Sequence, residues 1–163
     1  MSRNDTFEAE ALPHLRSLYG TACRLTRNPQ DAQDLVQETC LRALRSFSGY
    51  TPGTNIRAWL FTILHRVRVD TLRRDGRSPE LLDAATYEPT VRANQEALAA
   101  EADVGRALET LPEVFRVAVV LRDIEGFTYE EIGAIVGVPI GTVMSRIHRG
   151  RALLRGALLG VRP

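Results

Sequence analysis

The sequence predicts an all-α protein built as two small helical domains joined by a flexible linker. Three observations predict it. Apolar residues recur at the three- and four-residue intervals of one helix face in nearly every long segment. No alternating apolar–polar stretch persists long enough to be a strand. Between the helical parts lies a stretch carrying Pro79 and Pro89 and a surplus of acids, Asp75, Glu80, Asp83, Glu88, Glu96 and Glu101 against Arg77 and Arg92, a composition that reads as a linker.

The chain has 163 residues, enough for one compact domain or two small ones. Its formal net charge is +1, so total charge says nothing about nucleic acid and only the distribution can. All 21 basic side chains are Arg. No apolar run is long enough to cross a bilayer. The N-terminal MSRNDTFEAEALPH has no charged-then-apolar signal pattern. These features predict a cytoplasmic chain with no membrane contact of its own. Cys23 and Cys40 match no metal spacing, and core thiols are the expectation.

The first part, residues 5–77, reads as a helical bundle. Ala11, Leu15, Leu18, Ala22 and Leu25 repeat at helical intervals, with Pro13 in a first turn or at a kink, and Asn28-Pro29 breaks the run. Asp31 to Phe47 is a second helix whose acids come early and whose arginines, Arg42 and Arg45, come late, complementing the helix dipole. Ser48 to Thr54 is a loop; Thr54 or Asn55 can cap a third helix ending near Arg74. The acidic linker covers 78–102. The third part, 103–158, begins with Val104, Leu108 and Leu111 before Pro112, followed by an apolar helix from Val114 to Ile124.

The most informative stretch is TYEEIGAIVGVPIGTVMSRIHRGRALLR, Thr128 to Arg155. Ile132, Ile135 and Val136 mark a short helix that ends near Gly137. Pro139, tolerable only at a helix start, opens the next. Two helices this close on a Gly-containing turn read as a helix-turn-helix. On the second, Ile140, Val143, Ile147 and Leu154 share one face, while Gly141, Thr142, Ser145, His148 and Arg149 share the other. No acid follows Pro139. A small, polar and basic outer face suits a helix in a DNA major groove. Taken alone, such a helix reads first as a solvated basic surface; the preceding helix and Gly turn reverse that in favour of DNA.

In the first part, Trp59, Thr62, Arg66, Val69, Asp70 and Arg73 share one side of the third helix, opposite Ile56, Leu60, Ile63 and Val67. An aromatic among arginines can hold a nucleic-acid backbone and stack a base; equally, Trp59 is core and the arginines are solvated. Leu35, Val36, Leu41 and Leu44 beside Asp34, Gln37 and Glu38 read as an ordinary bundle helix or as a protein-docking face with an acidic rim.

Together these pieces resemble a bacterial RNA polymerase sigma factor of the extracytoplasmic-function group of the sigma-70 family. RNPQDAQDLVQETCLRALRSF and NIRAWLFTILHRVRVDTLRR resemble the family's region 2, and LPEVFRVAVVLRDIEGFTYEEIGAIVGVPIGTVMSRIHRGRALLR its region 4. The resemblance implies that Asp34, Leu35, Gln37 and Glu38 grip the polymerase β′ subunit. It implies that the loop from Tyr50 to Asn55 receives a flipped base of the minus-ten element, and that Trp59, Arg66, Asp70, Arg73 and Arg74 form the minus-ten face. Thr142, Ser145, Arg146, His148 and Arg149 match the minus-thirty-five reading helix. Partners so implied are core RNA polymerase (β′ and β), promoter DNA and an anti-sigma factor. The chain departs from the family's pattern at Arg66, Cys40 and Met144, so promoter preference does not carry over. No nucleophile–base pair, phosphate loop or metal cluster stands out, and no enzyme activity, metal or cofactor is expected. A stand-alone helix-turn-helix regulator and a helical protein-binding adaptor are the alternatives.

Overall fold

The computed structural model describes residues 2–77 and 100–160. Among them every regular element is helical: α1 (Arg3–Ala11), α2 (Leu15–Thr26), α3 (Pro29–Ser46), α4 (Ile56–Arg74), α5 (Ala100–Thr110), α6 (Glu113–Val119), α7 (Tyr129–Val136) and α8 (Ile140–Leu159). The expected linker lies outside the described residues apart from its last three, 100–102, which already belong to α5.

Local chemistry sets the boundaries. Pro13 sits in a 3-10 turn, Leu12–His14, that joins α1 to α2. Asn28 does not merely break a helix; its Oδ1 accepts from the Asp31 N–H at 2.8 Å and so caps α3, which starts two residues earlier than expected with Pro29 in its first turn. Asn55, not Thr54, caps α4, accepting from the Ala58 N–H at 3.0 Å. Thr128 and Glu131 form a reciprocal capping box on α7. Gly137 closes α7 with φ 75°, a conformation a side chain would strain, and Pro139 precedes α8. The helix expected over Val114 to Ile124 changes character at Val120, where Val120–Ile124 form a π-helical turn.

The two helical parts are packed together. One buried cluster runs from Phe7, Leu18 and Leu25 through Leu60, Phe61 and Leu64 to Val117, Phe127, Ile132, Ile135 and Ile147. A second, smaller cluster of Leu108, Leu111, Val114, Phe115, Val119 and Val120 lies within the C-terminal part. The α2–α3 and α3–α4 contacts build the first part, α6–α8 and α7–α8 the last, and α4 against α7 joins them. Two expectations about inward faces are corrected. Ile140, the first residue of α8, is 44% exposed. Cys23 is exposed rather than a core thiol, being on the outer side of α2 from Ala22 and Leu25.

Helix α8 comes close to α6 at Gly150. A Cβ there would lie 2.6 Å from Val119 Cγ2 and 3.2 Å from the Phe115 carbonyl oxygen. Both neighbours are buried, so neither can withdraw cheaply. Gly150→Ala is expected to cost about 1–3 kcal/mol, which for a chain of this size lowers Tm by roughly 3–10 °C in a calorimetric scan.

Candidate nucleic-acid interface

Val143 and Ile147 anchor α8 in the shared core. The opposite face then stands in solvent: Gly141, Ser145, His148 and Arg149 are exposed, while Thr142 and Arg146 are half-buried at its margin. The Arg149 guanidinium carbon lies 5.2 Å from the Phe115 ring centroid. Met144 is exposed in the middle of this face, between Gly141 and His148. Its place on the face follows from the i, i+3, i+4 spacing with Gly141 and His148. Arg151 belongs to the same basic run but is otherwise engaged. It donates from Nε and Nη2 to the two carboxylate oxygens of Asp123 at 2.9 and 2.6 Å and ties α8 to the π turn.

On α3, Asp34 and Gln37 are exposed and Glu38 is half-buried. Leu35 points into the core, so its contribution to that face is to anchor it. The apolar side chain that the face does present is Leu41, 48% exposed and one to two turns beyond Asp34. Arg42 ties this helix to α4: its Nε donates to Glu38 Oε1 at 3.0 Å and its Nη1 to Asp70 Oδ2 at 2.8 Å. The Asp70 bond first, and the Glu38 bond second, hold the guanidinium above its ordinary pKa. One side chain thus positions a candidate docking carboxylate and a candidate minus-ten carboxylate, a link invisible in the spacing because the two helices are paired only by folding.

The loop before α4 is fixed by its own bonds. Tyr50 is 7% exposed; its hydroxyl donates to the Thr54 carbonyl at 2.9 Å. The Tyr50 ring is 5.6 Å from Phe47 and 5.3 Å from Trp59, and Phe47 in turn meets Phe7 edge-on at 5.3 Å. Trp59 is half-buried at the rim of this aromatic group, with part of the ring toward the core and part toward solvent. Arg66, Arg73 and Arg74 are exposed farther along α4.

Folding brings the two candidate DNA surfaces to one groove of about 380 Å³. Arg66, Asp70 and Arg73 line it from α4, Arg146 from α8, and the Val136–Val138 turn closes one wall. His65 forms part of its inner side. The His65 Nδ1 is enclosed and meets no hydrogen-bond partner among the described residues. Burial, aided by Arg146 and Arg66 and opposed by Glu113, lowers its pKa to about 4. Among the described residues no group of ligating side chains could hold a metal ion, and no helix is long and apolar enough to cross a membrane.

The sequence model described as sigma-70 region 2 matches residues 12–78, and that described as sigma-70 region 4 matches 101–154. The chain is 46% identical over 151 residues to the ECF RNA polymerase sigma factor SigE of Mycolicibacterium smegmatis, covering 89% of this chain but only 58% of that protein. It is 37% identical to the ECF RNA polymerase sigma factor EcfG of Rhodopseudomonas palustris, over 97% of this chain and 88% of the relative. Its fold is similar to the sigma factor RpoE of Bartonella quintana in complex with the anti-sigma factor NepR, with TM-score 0.76, 33% identity, and 97% and 99% of the two chains covered. It is also similar to CnrH in complex with the cytosolic domain of CnrY, with TM-score 0.71, 27% identity, and 98% and 91% covered.

The half-buried His65, with its Nδ1 enclosed, makes stability depend on acid. Above its ordinary pKa of 6.5 the ring is neutral both folded and unfolded, and contributes nothing to the pH dependence. As pH falls from 6.5 toward 4 only the unfolded chain takes up the proton, so stability is lost across that window, by roughly 3 kcal/mol in all. Urea denaturation at pH 7 and pH 4.5 should show His65→Leu losing less stability between the two than the parent chain.

Proposed function

The chain belongs to the sigma-70 family of RNA polymerase sigma factors, in its extracytoplasmic-function group, and on that premise we propose that it binds core RNA polymerase and directs it to promoters. The observation that carries this reading is the division of α8, with Val143 and Ile147 held in the core while Ser145, His148 and Arg149 stand exposed. A helix so divided can enter a major groove without disturbing the fold behind it.

Residues 5–77 form the polymerase- and minus-ten-binding unit, 78–102 the tether and 103–158 the minus-thirty-five-binding unit. Asp34, Gln37 and Glu38, with Leu41 between turns, form the face that docks on the β′ subunit, and Leu35 holds that face on the bundle. Arg66, Arg73 and Arg74 take phosphates, Asn55 meets a base at the loop, and Trp59 offers its half-exposed ring for stacking, at about 1–3 kcal/mol per base. That gain offsets the few kcal/mol that unstacking a base costs. Thr142, Ser145, Arg146, His148 and Arg149 read and grip the minus-thirty-five duplex. The chain supplies recognition, and the catalysis belongs to the polymerase in the cytoplasm. The similar RpoE structure holds a sigma factor together with an anti-sigma factor, which supports an anti-sigma factor as a partner here.

Run-off transcription with purified core enzyme, with and without this chain, tests the reading. Promoter-dependent transcript should appear only with both. Arg149→Ala should weaken promoter binding by roughly 5- to 150-fold, the equivalent of about 1–3 kcal/mol for one good base contact, and leave affinity for core unchanged. Binding of promoter duplex without polymerase at comparable affinity would point instead to a stand-alone regulator. No salt-dependent DNA binding in any condition would point to an adaptor.

A further inference from the structure

Helix α8 is not uniform along its length. Its cations begin at Arg146 and continue with Arg149, Arg151 and Arg155. The stretch before them, residues 140–145, carries no charge at all. Within that stretch Val143 is buried, but Ile140 and Met144 are 44% and 51% exposed. Four residues apart, these two are neighbours on the helix surface. Gly141 beside them is exposed, and a Cβ built on it would meet nothing within 4 Å. Its backbone is that of the helix, so neither packing nor conformation asks for glycine, a poor helix former. The missing side chain leaves open room on the outer surface of α8, next to Met144.

Exposed apolar side chains are ordinary on a protein surface. What singles these out is where they stand. They continue the outward face of Ser145, His148 and Arg149, and they occupy its N-terminal end, the end of a recognition helix that contacts base edges. The bases differ in what they present there. Guanine offers O6 and N7, which call for an arginine or lysine, and neither precedes Arg146 on α8. Thymine offers a carbon group, its C5-methyl, which calls for an apolar contact. An unbranched, polarisable thioether adapts its shape to such a group.

Resting on the sigma-factor reading above, we infer that Met144 is a specificity-determining residue of promoter selection. Its side chain, beside Ile140 and the bare surface at Gly141, packs against the C5-methyl of a thymine in the minus-thirty-five element. The start of α8 thus selects a T·A pair by a contact that involves no hydrogen bond.

The test is selection by holoenzyme, core RNA polymerase with this chain, from promoter-length duplexes randomised at both elements. The parent should enrich a thymine at one position of the minus-thirty-five element. Replacing that thymine with deoxyuridine keeps the base pairing and removes only the methyl. Binding should then weaken about fourfold, the worth of one buried methyl group. Met144→Ala sits at an exposed helical position that alanine suits, so its helix content by circular dichroism and its affinity for core should match the parent's. It should lose the enrichment and bind the thymine and deoxyuridine duplexes alike. The inference falls if the parent enriches no thymine there, if it binds the two duplexes alike, or if Met144→Ala still tells them apart. It falls too if Met144→Ala binds core more weakly, which would assign the apolar pair to the polymerase. A parent that enriches no promoter sequence at all overturns the sigma-factor reading itself, whereas enrichment without a methyl preference overturns only the role of Met144.

Discussion

The arrangement of this chain depends on where one carboxylate, Glu125, can be buried. A carboxylate removed from water is costly unless its oxygens are hydrogen-bonded and its charge is matched. Glu125 finds that environment only against α2 and α4, where Ser17, Thr21 and Arg57 converge on it. With it placed, Phe127 two residues on meets Phe61 edge-on at 5.0 Å, and α7 falls against α4. The groove between α4 and the helix-turn-helix, and the bond from Asn55 to Glu131, follow from that docking.

A second charged site braces the same interface lower down. Arg116 is buried and donates to the carbonyls of Leu108 and Leu111 at 2.8 Å each, and to that of Leu25 at 3.2 Å. Burial lowers its pKa, with Glu113 acting in the opposite direction. Arg68 donates to Glu113 at 3.0 Å and to the Leu25 carbonyl at 2.9 Å. The Leu25 carbonyl, in the last turn of α2, is thereby met by arginines from both α4 and α6. Arginine suits this work because its planar fork serves several acceptors at once.

This explains why an all-arginine composition was ambiguous. Arg57, Arg68, Arg116 and Arg151 are bound to carboxylates or carbonyls and shape the fold. Arg66, Arg73, Arg74 and Arg149 lie exposed on the candidate DNA-binding faces. Residue type is the same in both groups; only neighbours distinguish them. The same holds for the apolar side chains of α3, where Leu35 is buried and Leu41 is not, although both are leucines of one helix.

The sequence alone determined the helical class, the helix-turn-helix and most helix ends, because these rest on interactions within a few residues: period, a capping Asn or Thr, a proline that cannot donate, a glycine at positive φ. It also placed the outward face of α8, since a single helix sorts its own faces once one of them is apolar. Tertiary structure decided the rest. That the two helical parts share a core, that Tyr50 turns inward, that Arg42 joins Glu38 to Asp70 and that Glu125 meets Ser17, a residue 108 positions away, are pairings across the fold. Nothing in the spacing of either partner announces the other, because the energy of such a contact exists only when both have already been brought together.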